Sequence, residues 1–129
     1  MSGAFGLDRI GQVHVGVTDV GRATGFYRDV LGIKHLFEFP GMSFFDCGGV
    51  RLYLAPPEPG AGVSGTSILY FKVPDIAEAA EVLEGRGVVF KRRPHLVHRD
   101  ERHELWLGFF EDSEGNTLAL MSEVPKASS

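Results

Sequence analysis

Two groups of residues in this sequence have the chemistry to bind a metal or to transfer a proton. In QVHVGV, residues 12–17, Gln12 and His14 stand two residues apart. On a β-strand such residues point to the same face, while the valines between and after them point to the other face. The second group is His95, His98 and His103, three histidines within nine residues. Imidazole suits both a divalent metal and proton transfer near neutral pH.

The three clustered histidines fit a long hairpin better than a metal site. A zinc site needs several ligands that converge at close spacing, and these histidines stand among charged residues instead. Strands near 88–98 and 102–110 would be joined by a turn at residues 99–101. We expect this hairpin and its basic run KRRPH, residues 91–95, to be exposed.

The elements that position these residues occur twice along the chain. After the first strand, Asp19 can cap a helix whose apolar residues recur at helical spacing as far as Gly32. A second strand, residues 67–73, leads to Asp75 and to a helix that ends near Gly85 and Gly87. The order strand, aspartate, helix and glycine predicts two similar modules.

The segments after the two helices are also alike. MSFFDCGGVRLYLAPPE and LGFFEDSEGNTLALMSEV each contain a Phe-Phe pair, a glycine turn and a closing strand. We therefore predict one domain, residues 1–129, built as a duplicated βαβββ unit. Its parts are module one at about 7–57, a linker at about 58–65, module two at about 66–124 and a tail at 125–129. Module two has about ten extra residues, which carry the clustered histidines.

Composition limits the class of protein. With 129 residues, 43% of them hydrophobic, the chain can form one core. A net charge of -4 argues against nucleic acid or an anionic membrane as partner. A single cysteine excludes an internal disulfide. The sequence has neither a secretory leader nor an apolar run near the roughly 18 residues of a membrane span, so we expect the protein in the cytoplasm.

The stretches VTDVGRATGFYRDVLG and FFEDSEGNTLALMS resemble the vicinal oxygen chelate superfamily, also called the glyoxalase, bleomycin resistance and dioxygenase superfamily. The resemblance covers nearly the whole chain. It implies an α+β fold in which two tandem βαβββ modules form a cup-shaped, partly open eight-stranded barrel. It also implies a homodimer, and in enzyme members a divalent metal on the concave face.

The metal-ligand positions that the resemblance implies hold poor ligands here. Those positions are Gln12, Tyr53, Ile68 and Ala119. A divalent cation favours imidazole, carboxylate or thiolate, and only the amide oxygen of Gln12 offers a weak substitute. We therefore expect no metal and no other cofactor. A displaced site that joins His14 to His98 or Glu104 stays open as an alternative.

Strand alternation predicts which side chains line the cup. They are Gln12, His14, Arg51, Tyr53, Ile68, Tyr70, Lys72, Thr117, Ala119 and Met121. Further aromatic candidates for the lining are Phe37, Phe39 and Trp106, whereas Phe44, Phe71 and Phe109 are expected in the core. Such a surface is typical of a small-molecule pocket, and His14 is its most function-sensitive residue.

Three functions remain open from the sequence, and fold resemblance alone does not choose among them. The favoured one is metal-independent binding of an aromatic or amphipathic small molecule, as in bleomycin resistance proteins. The second is an enzyme of isomerase, lyase or dioxygenase type that uses His14 as a general base or in a displaced metal site. The third is a regulatory or interaction role.

Overall fold

The two predicted modules form two four-stranded sheets, each packed against one helical segment. The computed structural model describes residues 5–57 and 67–125. Module one consists of β1 (Gln12–Gly16), α1 (Val20–Gly25) with a π-helical turn (Phe26–Val30), β2 (Lys34–Phe39), β3 (Met42–Cys47) and β4 (Val50–Ala55). Module two consists of β5 (Leu69–Lys72), α2 (Ile76–Gly85), β6 (Phe90–Arg99), β7 (His103–Glu111) and β8 (Thr117–Pro125).

The strand order is the same in both sheets. It is β1-β4-β3-β2 in one and β5-β8-β7-β6 in the other. In each sheet the first strand runs parallel to the last, and the remaining neighbours are antiparallel. The sheets do not close into a complete barrel, which agrees with an open cup. The predicted α+β fold is thereby confirmed, while the linker at 58–65 lies outside the described residues.

Both helices begin at the predicted aspartates. Arg22 N donates to Asp19 Oδ1 at 3.0 Å, and Glu78 N donates to Asp75 Oδ1 at 3.1 Å. Gly32 adopts a φ of 72° just after the first helical segment, where a residue with a side chain would be strained. Among the described residues, no helix combines the length and the apolar character that crossing a membrane would require.

The first helical segment departs from the regular helix that the sequence predicts. Its last turn is π-helical, with Leu31 N donating to the carbonyl oxygen of Phe26 at 3.0 Å. The turn contains Tyr27, which is fully buried and whose hydroxyl bonds Asp112 in module two. Apolar spacing within the helix carries no information about such a long-range contact.

One continuous core joins the two modules on the helix side of the sheets. Phe45 and Phe110 are fully buried in it, and Phe71 packs against it. Phe44 and Phe109 are half-buried and lie on the opposite face. The prediction that these two belong to the core is therefore wrong, because adjacent strand residues point to opposite faces.

A buried polar contact fastens the β7–β8 turn of module two to module one. The Asp112 carboxylate accepts the Tyr27 hydroxyl at 2.7 Å and the backbone N–H groups of Glu114 and Asn116, each at 2.8 Å. Asn116 Nδ2 also donates to the carbonyl oxygen of Gly16 at 3.1 Å. Burial, together with the neighbouring Asp112, raises the pKa of Tyr27 well above its usual value. The phenol therefore stays protonated and donates.

The same turn holds the start of the first helix through Glu114. Its carboxylate accepts from Thr18 N and Thr18 Oγ1, each at 2.8 Å, and from Arg22 Nη2 at 2.6 Å. Hydrogen bonds from the Thr18 backbone and the Arg22 guanidinium lower the pKa of Glu114 to about 2. Because β1 ends two residues before Thr18, these contacts hold its end against module two.

Candidate functional site

The first sheet carries a row of aromatic side chains on its open face, the face turned away from α1. His14, Tyr53, Phe44 and Phe37 occupy facing register positions on its four strands. Successive ring centroids lie 5.0, 4.9 and 4.8 Å apart. Phe39 extends the row, with its centroid 5.5 Å from that of Phe37. The ring separations match the spacing of hydrogen-bonded strands, so strand register itself builds what we call the aromatic row.

The aromatic row presents mainly ring edges to solvent. Tyr53 and Phe44 are stacked at an interplanar angle of 12°, so each covers a face of the other. At the β2 end Phe37 is 44% and Phe39 57% exposed, and His14 at the other end is exposed as well. Ring edges carry the positive part of the aromatic quadrupole and attract the face of another flat ring. A contiguous exposed aromatic surface of this kind is a candidate binding surface.

His14 closes the row at the β1 edge of the sheet. Its Nε2 lies 3.1 Å from the carbonyl oxygen of Ala55. A carbonyl oxygen can only accept, so Nε2 donates, and in the neutral ring Nδ1 is then the nitrogen that can take a proton. The sequence prediction that His14 shares a face with Tyr53 is confirmed by their register and ring contact.

A cationic side chain borders the aromatic row. Arg51 faces Gln12 on one side and Asp46 on the other, and both Arg51 and Gln12 are exposed. The guanidinium carbon of Arg51 lies 6.0 Å from the ring centroid of Phe44. The surface at the aromatic row thus combines apolar rings with the positive charge of Arg51 and the amide of Gln12.

The second sheet has an open face of different character. Tyr70, Ala119 and Phe109 face one another across β5, β8 and β7, and the Tyr70 and Phe109 rings meet edge to face at 6.2 Å. Ala119 is fully buried between them. Met121 and Lys72 pair one step further along, where Lys72 Nζ lies 3.6 Å from Glu123 Oε1. Two further residues predicted for the cup lie nearby in sequence: Ile68 directly before β5, and Thr117 at the start of β8.

Trp106 lies on the helix side of the second sheet, away from the other predicted lining residues. It faces Ser122 across the ladder and borders a cavity with Ala77 and Ala80 of α2. Its Nε1 donates to Glu104 Oε1 at 3.2 Å. The sequence already indicates this placement. Trp106 and the buried Phe110 are an even number of residues apart on one strand, so they share a face.

The clustered histidines lie on the predicted hairpin, as strand residues of β6 and β7. Its turn is closed by Asp100, whose carboxylate accepts from the backbone N–H groups of Arg102 and His103 at 2.8 and 2.7 Å. His95 lies on the same face as Phe109, with ring centroids 6.5 Å apart. In the part of the chain that the structure describes, no three His, Cys, Asp or Glu side chains come together as metal ligands would.

Two cavities flank α2 on the helix side of the second sheet. One, of about 360 Å³, is lined chiefly by apolar residues such as Phe71, Val73 and Leu83. The other, of about 500 Å³, includes Trp106. The first also includes Leu31 and Ile33 of module one, and neither cavity contains His14, Tyr53 or Arg51. We therefore place the candidate site on the aromatic row.

Comparison with known proteins agrees with this architecture. The model of the Glyoxalase/Bleomycin resistance protein/Dioxygenase superfamily matches residues 9–120. The chain belongs to this superfamily. No curated protein sequence matches the chain.

Solved structures of several other proteins share this fold at low sequence identity. Lactoylglutathione lyase from Agrobacterium tumefaciens is 22% identical with a TM-score of 0.73, over 91% of this chain and 95% of that one. TnmS3, an antibiotic binding protein from Streptomyces sp. CB03234, is 21% identical with a TM-score of 0.73, over 94% and 100%. A superfamily member from Sphaerobacter thermophilus is 22% identical with a TM-score of 0.68, over 90% and 98%.

The residues at the implied metal positions do not fit a divalent metal. Ile68 and Ala119 offer no donor atom, and Ala119 is fully buried. Tyr53 is held in ring contact with His14 on one side and Phe44 on the other. Of the two partners considered for a displaced site with His14, Glu104 is already bonded to Arg99 and Trp106, and His98 lies 3.8 Å from Asp100.

Proposed function

We propose that this superfamily member binds a small, flat aromatic molecule on the aromatic row and does so without a metal ion. The observation that carries the proposal is the row itself, in which rings from four neighbouring strands form one surface whose outer end is exposed. The same fold in TnmS3, an antibiotic binding protein, supports a binding role only by analogy.

The expected affinity for a simple probe follows from the area it covers. A bicyclic arene on the outer rings would remove roughly 300 Å² of apolar surface from water, its own included, a gain of about 7 kcal/mol. Edge-to-face contacts add about 1 kcal/mol. Association costs at least about 4 kcal/mol. The net value of about 4 kcal/mol corresponds to a Kd on the order of 1 mM.

Titration with 2-naphthol, a neutral bicyclic probe, tests the proposal by NMR or calorimetry. We expect saturable binding in this range, weakened about five- to tenfold by Tyr53→Leu, because leucine lacks the ring edge and stacking partner. Trp106→Phe on the other face of the second sheet is the matched control and is expected to leave Kd unchanged. Loss of binding in Trp106→Phe but not in Tyr53→Leu would contradict the proposal. Elemental analysis of protein purified without chelator is expected to find no stoichiometric divalent metal.

A second candidate function rests on His14. Because its Nε2 donates to Ala55, Nδ1 is available as a general base beside the aromatic row. An isomerase or lyase acting on a carbon next to a carbonyl would use such a base. The test is deuterium exchange of 2-tetralone, a bicyclic aromatic ketone, in heavy water. Exchange catalysed by the protein and lost in His14→Asn would support the enzyme, and exchange at the uncatalysed rate would exclude it for this probe.

A homodimer and cytoplasmic localisation belong to the same proposal. β1 and β5 are edge strands of their sheets, and β2 and β6 are the opposite edges. Edge strands carry unpaired backbone groups that another chain can cover. Light scattering coupled to size-exclusion chromatography is expected to give twice the chain mass, and a monomer at micromolar concentration would contradict the dimer.

A further inference from the structure

The positive charge of Arg51 beside the aromatic row affects which aromatic ligands the row would select. Arg51 leaves β4 on the same face as Tyr53, two residues away, and its guanidinium carbon approaches Phe44 to 6.0 Å. A ligand lying on the Tyr53–Phe44 pair would therefore have Arg51 at its margin. A guanidinium presents a planar fork of donors that matches a carboxylate.

Arg51 has no ion pair with any carboxylate in residues 5–57 and 67–125. Its facing residue on β3 is Asp46, which would be the natural partner. The Asp46 carboxylate instead accepts the backbone N–H of Gly49 at 3.2 Å and so closes the β3–β4 turn. The turn thus engages one oxygen of the facing acid, and Asp46 forms no ion pair with Arg51, so the guanidinium is available to a ligand.

Some other arginines on the surface are paired with an acid, unlike Arg51. Arg22, Arg93 and Arg99 each contact a glutamate at 2.6 to 2.8 Å. The members of the aromatic row are neutral or, in His14, basic, so none of them competes for the guanidinium. Gln12, which faces Arg51 across the β1–β4 ladder, adds an exposed amide that can donate a further hydrogen bond.

We propose that the ligand of the aromatic row is an aromatic carboxylate, with its ring on Tyr53 and Phe44 and its anionic group on Arg51. This inference rests on the function proposed above and adds the charge of the ligand to it. The ring edges favour an electron-rich flat face, and the guanidinium favours a planar anion at its rim. Affinity comes from the rings, and the choice of acid over neutral analogue comes from Arg51.

The test compares two probes of the same shape, 2-naphthoate and 2-naphthol, on the full chain. We expect the protein to bind 2-naphthoate about five- to tenfold more tightly, as a charge-assisted contact at a partly exposed site allows. Arg51→Gln should abolish the preference for the acid, so that the ratio of the two Kd values falls to about one. Arg28→Gln removes the same charge from the exposed surface of the first helical segment, on the other side of the sheet from the aromatic row, and should change neither Kd.

The outcomes separate the two proposals. If both probes bind equally to the unaltered protein, the proposal of an aromatic carboxylate is wrong. It is also wrong if Arg51→Gln keeps the preference for the acid. In both cases the proposed aromatic site itself stands. If neither probe binds, the proposed function itself fails. A fall in the preference for 2-naphthoate as salt is raised, with the Kd of 2-naphthol constant, is expected because partly exposed charge pairs are screened.

Discussion

Replacing Tyr27 with phenylalanine removes one hydroxyl from the buried contact that joins the two modules. In the intact protein this hydroxyl donates to Asp112 Oδ2 at 2.7 Å. The ring itself packs near Phe45, with centroids 6.0 Å apart, and phenylalanine keeps that contact. The substitution therefore tests the hydrogen bond and leaves the apolar packing in place.

The size of the effect follows from the partners that remain. Asp112 keeps the backbone donors of Glu114 and Asn116 and the Asn116 side chain at 2.9 Å, so its charge stays partly solvated by the protein. A hydrogen bond to a charged group contributes about 1.5 to 3 kcal/mol to stability. We expect Tyr27→Phe to lower the free energy of unfolding by about 2 kcal/mol. For a chain of this size the midpoint temperature should fall by roughly 5 to 10 °C.

Urea and thermal unfolding followed by circular dichroism measure this effect. Tyr70→Phe is the matched control, because Tyr70 is 45% exposed on the open face of the second sheet. It should change stability by less than about 0.5 kcal/mol. A Tyr27→Phe protein as stable as the parent, with the same dependence on urea, would refute the view that this hydroxyl holds the modules together.

Three further predictions concern other parts of the molecule. The pKa of Glu114 is lowered from 4.5 to about 2, so its stabilising contribution is complete above pH 4.5 and is lost as the pH falls toward 2. Glu114→Gln should reduce the change of the urea midpoint with pH between pH 4.5 and 2. An unchanged dependence on pH would contradict this. Shortening residues 97–102 to a two-residue turn should leave the protein folded while changing ligand affinity. If the shortened protein fails to fold, the hairpin is structural and this prediction is wrong. His14→Asn should weaken ligand binding or turnover severely while lowering stability by no more than about 1 to 2 kcal/mol. Normal binding with a much lower melting temperature would make His14 a core residue.

The parts of the fold that depend on local chemistry could be predicted from the sequence. Asp19 and Asp75 cap helices because their side chains reach backbone donors only a few residues away. Strand alternation placed His14 and Tyr53 on one face, since the period of two is independent of the rest of the structure. The duplicated Phe-Phe hairpins indicated that both sheets share one topology.

The parts of the fold that depend on strand register and on long-range contacts could not be predicted from the sequence. Phe44 joins the aromatic row because it faces Tyr53 across the β3–β4 ladder, and that pairing is set by the turn between the strands. Trp106 is a different case: it was predicted to line the cup, although its even spacing from the buried Phe110 already indicated the helix side. The π-helical turn contains Tyr27, whose hydroxyl bonds Asp112, 85 residues away, and helical spacing does not encode such a contact.

Intermolecular NMR contacts between 2-naphthoate and the protein test the central claim most directly. The probe is added to isotope-labelled full-length chain, and nuclear Overhauser effects are recorded from its ring protons. The account predicts contacts with the ring protons of Tyr53, Phe44 and Phe37, and none with Trp106. Contacts confined to Trp106 and to α2 residues such as Ala77 would place the ligand in a cavity behind the second sheet and contradict the account.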